Sequence, residues 1–266
     1  MKQIILGLAL AVVLNAADEK TSEHKTFSGV HELVIDNIAG FIEVTASNGN
    51  SVEMDIEKTL SGDSADRLSL AKKEISLSTT QEGGLVRVYV DGPFRNHSNW
   101  HEVYRFNYDF KIKVPRDVKL ELRAVNNSHI TVEGTAGDYT INNVNGPIEM
   151  KDVEGSGTIH TVNGGVKVLY AKNPTGTTSF KSVNGSLDVS FRAGLNADVK
   201  LKTLNGGLYT DFDVSAMPMA VNAAENRNGK LVWSSRRMTG VRIGSGGPEL
   251  QFETVNGNVM LRNREK

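Results

Sequence analysis

Alternating apolar and polar positions along the second half of the chain resolve into one repeated unit. Its clearest copies are Val144-Asn145-Gly146-Pro147-Ile148-Glu149-Met150, Val162-Asn163-Gly164-Gly165-Val166-Lys167-Val168, Val183-Asn184-Gly185-Ser186-Leu187-Asp188-Val189, Leu204-Asn205-Gly206-Gly207-Leu208 and Val255-Asn256-Gly257-Asn258-Val259-Met260-Leu261. The first four asparagines step by 163−145 = 18, 184−163 = 21 and 205−184 = 21 residues. An apolar residue stands three before each Val or Leu, and often another stands five before: Tyr139 with Ile141, Ile159, Phe180 after Thr178, Val199 with Leu201, and Leu250 with Phe252. Alternation of this kind marks a strand with one buried face, and the step of three breaks its parity, which places a corner there. Each unit reads strand, corner, strand.

Two degenerate copies keep the frame. Leu33-Val34-Ile35 leads into Ile38-Ala39-Gly40-Phe41-Ile42-Glu43-Val44, with apolar positions 33, 35, 38, 42 and 44 in register, and Leu120-Glu121-Leu122 leads into Val125-Asn126-Asn127, with Ile130 and Val132 displaced by one. A two-strand unit of this length cannot bury its apolar side alone, so units must stack, with rungs about 4.8 Å apart. The fold class expected is all-β: a single β-solenoid or β-helix-like stack of short strands. The alternative is a meander of hairpins in which Asn-Gly makes two-residue turns. Asn145, Gly146, Asn163, Gly164, Asn184, Gly185, Asn205, Gly206, Asn256 and Gly257 read as structural turn residues, because Gly and Asn tolerate positive φ and asparagines on successive rungs can bond as a ladder.

The N-terminal half carries longer strands, at Val52 to Ile56, Glu74 to Ser78, Leu85 to Val90 and Val103 to Val114, which widen the sheet. Gln81-Glu82-Gly83-Gly84 signals a hairpin. Ser64 to Lys73, with Asp63 as N-cap, is the one short helix expected. From Asp211 to Arg242 the repeat lapses, which reads as an insertion or a distorted turn of the stack.

Phe110-Lys111-Ile112-Lys113-Val114-Pro115 running into Val118-Lys119-Leu120-Glu121-Leu122, the serial Val-Asn-Gly units, and Gly244-Ser245-Gly246-Gly247-Pro248-Glu249-Leu250 ahead of Thr254-Val255-Asn256-Gly257 together give the chain a family likeness. It resembles the bacterial putative-adhesin proteins of unknown function, sometimes called toast-rack domains, over nearly all of residues 18–266. The resemblance implies a β-solenoid at the cell envelope and supplies no catalytic residues.

Composition then narrows the function. Lys2, the apolar run from Ile4 to Leu14, and Ala16-Ala17 before Asp18-Glu19 read as a secretory signal peptide over residues 1–17, leaving one domain over 18–266. The apolar run is shorter than the roughly 20 residues a membrane-spanning helix needs, so no transmembrane helix is expected after cleavage. The formal net charge of −1 gives no electrostatic call for nucleic acid. With no cysteine there is no disulfide, thiolate metal site or cysteine nucleophile. No cofactor is called for.

The least repetitive segment, Asp91 to His101, reads as an exposed loop, and Phe94, Trp100 and Tyr104 are the candidate contact residues, able to stack on a sugar face. The competing reading folds these aromatics back over the sheet edge. His97 and His101 have a metal-ligand spacing only on a helix, which the Gly, Pro and Asn around them oppose, so no metal site is assigned. Asp211 and Asp213 with Arg236-Arg237 could form a polysaccharide lyase-like, glycan-modifying site if Asp211 and Asp213 share a strand face. The reading that follows is an exported, non-catalytic envelope protein, periplasmic or at the cell surface, that binds or scaffolds through an envelope glycan, lipid or protein partner. The alternatives are that enzyme and a structural protein that self-associates through open strand edges.

Overall fold

The computed structural model describes residues 8–15, 18–95, 103–126, 128–217, 225–227, 230–232 and 239–265. Two eleven-stranded sheets contribute their inner faces to one apolar core. The first sheet runs, edge to edge, through Leu8–Asn15, Asp18–Ser28, Ser51–Ser61, Arg105–Pro115, Ile42–Ser47, Ile130–Glu133, Ile148–Val153, Val166–Tyr170, Leu187–Phe191, Val259–Asn263 and Leu208–Thr210. The second runs through Val214–Ala216, Thr239–Ile243, Ala197–Asn205, Glu249–Asn256, Thr178–Asn184, Gly157–Asn163, Tyr139–Asn145, Lys119–Ala124, Glu32–Asp36, Leu85–Asp91 and Ser76–Glu82.

The repeat units stack in parallel, not as a meander of hairpins. Asn145 pairs with Asn163, Asn163 with Asn184, Asn184 with Asn256, and Asn205 with Asn256. The last unit in sequence is therefore inserted between the Asn184 and Asn205 units. The side-chain ladder follows the same order: Asn145 donates to Asn126 at 3.0 Å, Asn163 to Asn145 at 2.8 Å, Asn184 to Asn163 at 2.9 Å, Asn256 to Asn184 at 2.7 Å and Asn205 to Asn256 at 2.7 Å.

Two details of the repeat differ from the sequence reading. No corner separates Ile141 from Val144: the strand Tyr139–Asn145 is continuous, and Asn143 keeps the inward parity. In the later units that inward place belongs to a hydroxyl, buried at Thr161, Ser182 and Thr254 and half-buried at Thr203, which donates to the glycine carbonyl of the adjacent unit. Thr161 reaches Gly146 at 3.0 Å, Ser182 reaches Gly164 at 2.9 Å, Thr254 reaches Gly185 at 2.9 Å and Thr203 reaches Gly257 at 2.9 Å. The Val or Leu before each asparagine consequently faces outward, up to 74% exposed at Leu204.

Four of the five motif glycines, second, are not there for positive φ, which Gly164, Gly185, Gly206 and Gly257 lack, while Gly146 is at φ 158°. They are there for clearance. A Cβ on Gly185 would lie 1.9 Å from the Gly164 carbonyl oxygen, and one on Gly257 would lie 2.2 Å from that of Gly185. No side chain fits between rungs so close.

Outside the repeat, the strands Asp18–Ser28, Ser51–Ser61 and Arg105–Pro115 pair antiparallel and broaden the first sheet. Gly83 and Gly84, at φ 54° and 84°, make the two-residue turn expected between Ser76–Glu82 and Leu85–Asp91. The helix spans Ala65–Glu74, so Glu74 is helical and the following strand starts at Ser76. Its N-cap is Ser64, whose hydroxyl accepts from the Arg67 N–H, while Asp63 pairs with the Arg67 guanidinium at 2.9 Å. No helix among the described residues is long and apolar enough to cross a membrane. Leu8–Asn15 pairs antiparallel with Asp18–Ser28 at the sheet edge. The expected cleavage site at Ala16-Ala17 lies outside the described residues.

Candidate functional site

The aromatic loop candidates separate. Tyr104 is only 3% exposed and its hydroxyl donates to Glu74 at 2.5 Å, so its ring face belongs to the core and offers no surface to a ligand. Phe94 packs against the core and stacks on Phe106 with centroids 5.3 Å apart. Arg95 lies 5.7 Å from the Phe94 ring and 5.4 Å from the Tyr89 ring, and bonds Asp36 at 3.2 Å. Phe94 and Tyr104 have folded back onto the sheet, as the competing reading had it. Trp100, His97 and His101 lie outside the described residues.

Asp211 and Asp213 do not share a strand face. Both sit in the connection between Leu208–Thr210 and Val214–Ala216, and Asp211 accepts the Asn263 N–H at 3.2 Å. Arg236 and Arg237 lie outside the described residues. Among the described residues, no three His, Asp or Glu side chains gather as a metal site would require.

A different cluster forms on the outer face of the first sheet, where its antiparallel strands lie side by side. Register sets Ser22, Glu57 and Asp109 in one cross-strand row and His24, Asp55 and Lys111 in the next. Phe41 completes the first row, because Ile42 pairs with Phe110 and the preceding residue falls beside Asp109. Its N–H donates to the Asp109 carboxylate at 3.1 Å.

The corner that presents Phe41 is pinned from beneath. Buried Asn37 donates to the carbonyls of Gly40 at 3.1 Å and Tyr108 at 2.8 Å. Gly40 has φ 106° and lies so close to the neighbouring strand that a Cβ would fall 2.2 Å from the Tyr108 carbonyl oxygen. Only glycine meets both demands. The Phe41 ring stacks on His129 with centroids 5.1 Å apart, and the Lys111 ammonium lies 6.0 Å from its centroid.

These residues line a half-open groove of about 620 Å³, with Ser22, His24, Phe41, Asp55, Glu57, Asp109 and Lys111 among its walls. His24 donates to Asp55 at 2.6 Å and Lys20 bonds Glu57 at 2.7 Å. The hydrogen bond to Glu57, then that carboxylate's charge, raises the Lys20 ammonium above the ordinary lysine value. Glu57 and Asp109 stand directly opposite each other, an arrangement that weakens a sheet. Lys20 compensates the Glu57 charge, and the Phe41 N–H bonds the Asp109 carboxylate.

The sequence reading did not find this groove. One signal was available: Phe41 is a large apolar residue at an outward position between Gly40 and Ile42. The charged residues around it come from three distant strands and give no local signature.

No family model matches the chain, and no curated protein matches it. Solved structures do. A putative cell adhesion protein from Clostridium sporogenes ATCC 15579 aligns at 10% identity and TM-score 0.46, over 92% of this chain and 100% of its own. A putative adhesin from Parabacteroides distasonis ATCC 8503 aligns at 13% identity and TM-score 0.26, over 91% and 96%. A putative lipid binding protein from the same organism aligns at 11% identity and TM-score 0.27, over 91% and 96%. At these identities and TM-scores the likenesses decide nothing about what this chain does.

Proposed function

We propose that the chain is an exported, non-catalytic cell-envelope protein of the putative-adhesin, toast-rack type: a β-solenoid whose stacked face binds or scaffolds in the periplasm or at the cell surface. The observation that carries this reading is the in-register asparagine ladder running through six stacked units. It holds the outward Val125, Val144, Val162, Val183, Val255 and Leu204 in a row beside it. A row of equivalent groups repeating at rung spacing offers many weak, identical contacts, which suits a polymeric envelope partner through avidity rather than one tight pocket. Fractionation of cells expressing a tagged chain tests it. The processed chain in the envelope fraction, released by salt or soluble glycan, is the expected result, and an unprocessed chain in the cytosol overturns the reading.

One observation favours a second reading, a self-associating scaffold. Leu208 occupies the same row as Ile148, Val166, Leu187 and Val259, which are 0–1% exposed, yet Leu208 is 38% exposed on the edge strand of the first sheet. A core position laid open on a strand edge that no described residue pairs is a template for another chain. Sedimentation velocity on the intact chain and on Leu208→Lys separates the readings: a concentration-dependent dimer lost in the variant favours the scaffold, and a monomer at all concentrations removes it.

A further inference from the structure

The groove beside Phe41 carries enough chemistry to name the class of ligand it takes. Its volume of about 620 Å³ lies within the range of about 300–1,000 Å³ usual for small-molecule sites. One aromatic ring and several convergent polar groups line it, which is how such sites fix both position and orientation. Two kinds of hydrogen-bonding group are interleaved there. Asp55, Glu57 and Asp109 only accept when ionised, whereas Lys111 only donates and Ser22 can do either.

A ligand that satisfies both kinds at once must itself donate and accept at closely spaced points. Sugar hydroxyls do both. A phosphate headgroup only accepts: it would find Lys111 and His24, but it would also stand against Asp55, Glu57 and Asp109 without the desolvated pairing that makes such contacts tolerable. The carboxylates thus reject an anionic ligand and admit a neutral one, or one carrying an amine.

The ring decides between a sugar and a simple cation. Phe41 is fixed in place by the Asn37–Gly40 corner and by stacking on His129, so its exposed portion is a rigid apolar element at the groove wall. The C–H face of a pyranose packs on such an element while its hydroxyls reach the flanking carboxylates. Lys111, the cation now nearest the ring, is exposed, and its long side chain can swing off the ring face while its ammonium stays at the groove wall as a donor.

We infer that this groove is a glycan-binding site for neutral or amine-bearing sugar residues, with Phe41 as the stacking element and Asp55, Glu57 and Asp109 as hydroxyl or amine acceptors. The inference rests on the envelope-binding reading and gives it a ligand class. The site is distinct from the loop around Trp100 and from the asparagine ladder.

Calorimetric titration of the purified processed chain tests it, using oligomers of glucose, N-acetylglucosamine and glucosamine, a lysine-rich peptide, and phosphatidylglycerol vesicles. At least one oligosaccharide series is expected to bind, with affinity reduced tenfold or more in Phe41→Ala and in Asp109→Asn, and the anionic vesicles are expected not to bind. Circular dichroism shows whether each variant remains folded, and Glu57→Gln, a conservative change at a half-buried position, serves if Phe41→Ala does not. No binding by any oligosaccharide, equal binding by wild type and folded variants, or binding by the basic peptide alone overturns the site. Co-sedimentation with envelope fractions, run in parallel, keeps the two claims apart. Envelope binding that survives the groove variants removes this site and leaves the envelope reading intact. Groove-dependent sugar binding without envelope binding does the reverse.

Discussion

The Asn256 side-chain amide donates to the side-chain Oδ1 of Asn184 at 2.7 Å, although 72 residues separate them in the chain. Asn205, nearer in sequence to Asn184, lies on the far side of Asn256. The C-terminal unit is therefore an interior rung. It holds the ladder continuous between the Asn163 and Asn184 units and the outermost Asn205 unit, so removing it opens a gap in the middle of the stack. Arg264 fastens the end of this unit farther along, bonding Asp152 at 2.9 Å and the Tyr170 carbonyl at 2.7 Å.

Disulfide trapping reads this order directly, since the chain contains no cysteine. Neighbouring rungs place equivalent Cα atoms about 4.8 Å apart, inside the roughly 4.4–6.8 Å span a disulfide accepts. Oxidation is expected to cross-link Asn184→Cys with Asn256→Cys, and to leave Asn184→Cys with Asn205→Cys as free thiols. The reverse pattern on non-reducing gels would mean that the units stack in sequence order.

Exchanging a hydroxyl and a methyl at adjacent positions separates the inward from the outward parity. Thr254→Val keeps the shape of a buried side chain but leaves the Gly185 carbonyl without its donor, at an expected cost of about 1–3 kcal/mol. Val255→Thr changes a side chain that is 36% exposed and is expected to alter stability by no more than about 0.5 kcal/mol. Urea unfolding of both variants measures the difference. A larger loss in Val255→Thr would show that the Val of the motif, and not the hydroxyl, faces the core.

That parity was the main point at which the sequence misled. The spacing of Asn145, Asn163, Asn184 and Asn205 made the repeat and its stacking legible, and the asparagine ladder followed from it. Hydrophobicity alone then suggested that Val144 and its equivalents turn inward, whereas the small hydroxyls of Thr161, Ser182, Thr203 and Thr254 take the inward place because each supplies a donor that a neighbouring carbonyl needs. The regular occurrence of a hydroxyl two residues before those four asparagines was the available signal. Rung order was not legible, since Asn205 and Asn256 carry the same motif and nothing local distinguishes an interior unit from a terminal one. The groove was hidden for another reason: Ser22, Glu57 and Asp109 meet only through the cross-strand register of three long strands.

Asp198 and Arg242 join the outermost unit to the antiparallel strand beside it through two bonds, at 2.7 and 3.0 Å. Hydrogen bonding from Arg242 lowers the Asp198 carboxyl below its ordinary value. A carboxyl depressed in the folded state binds fewer protons there than when unfolded, so its stabilising contribution is full above the unfolded value and fades as pH falls through the folded one. Thermal melts from pH 7 downward are therefore expected to show Asp198→Asn less stable than wild type near neutrality, with the two curves converging in acid. A constant separation at every pH would mean that the ion pair does not contribute to the linkage.

The most direct test of the envelope-binding account is equilibrium co-sedimentation of the purified chain with envelope fractions from its own cells. The account predicts saturable binding that soluble glycan competes away. A chain that stays in the supernatant at every envelope concentration would contradict it.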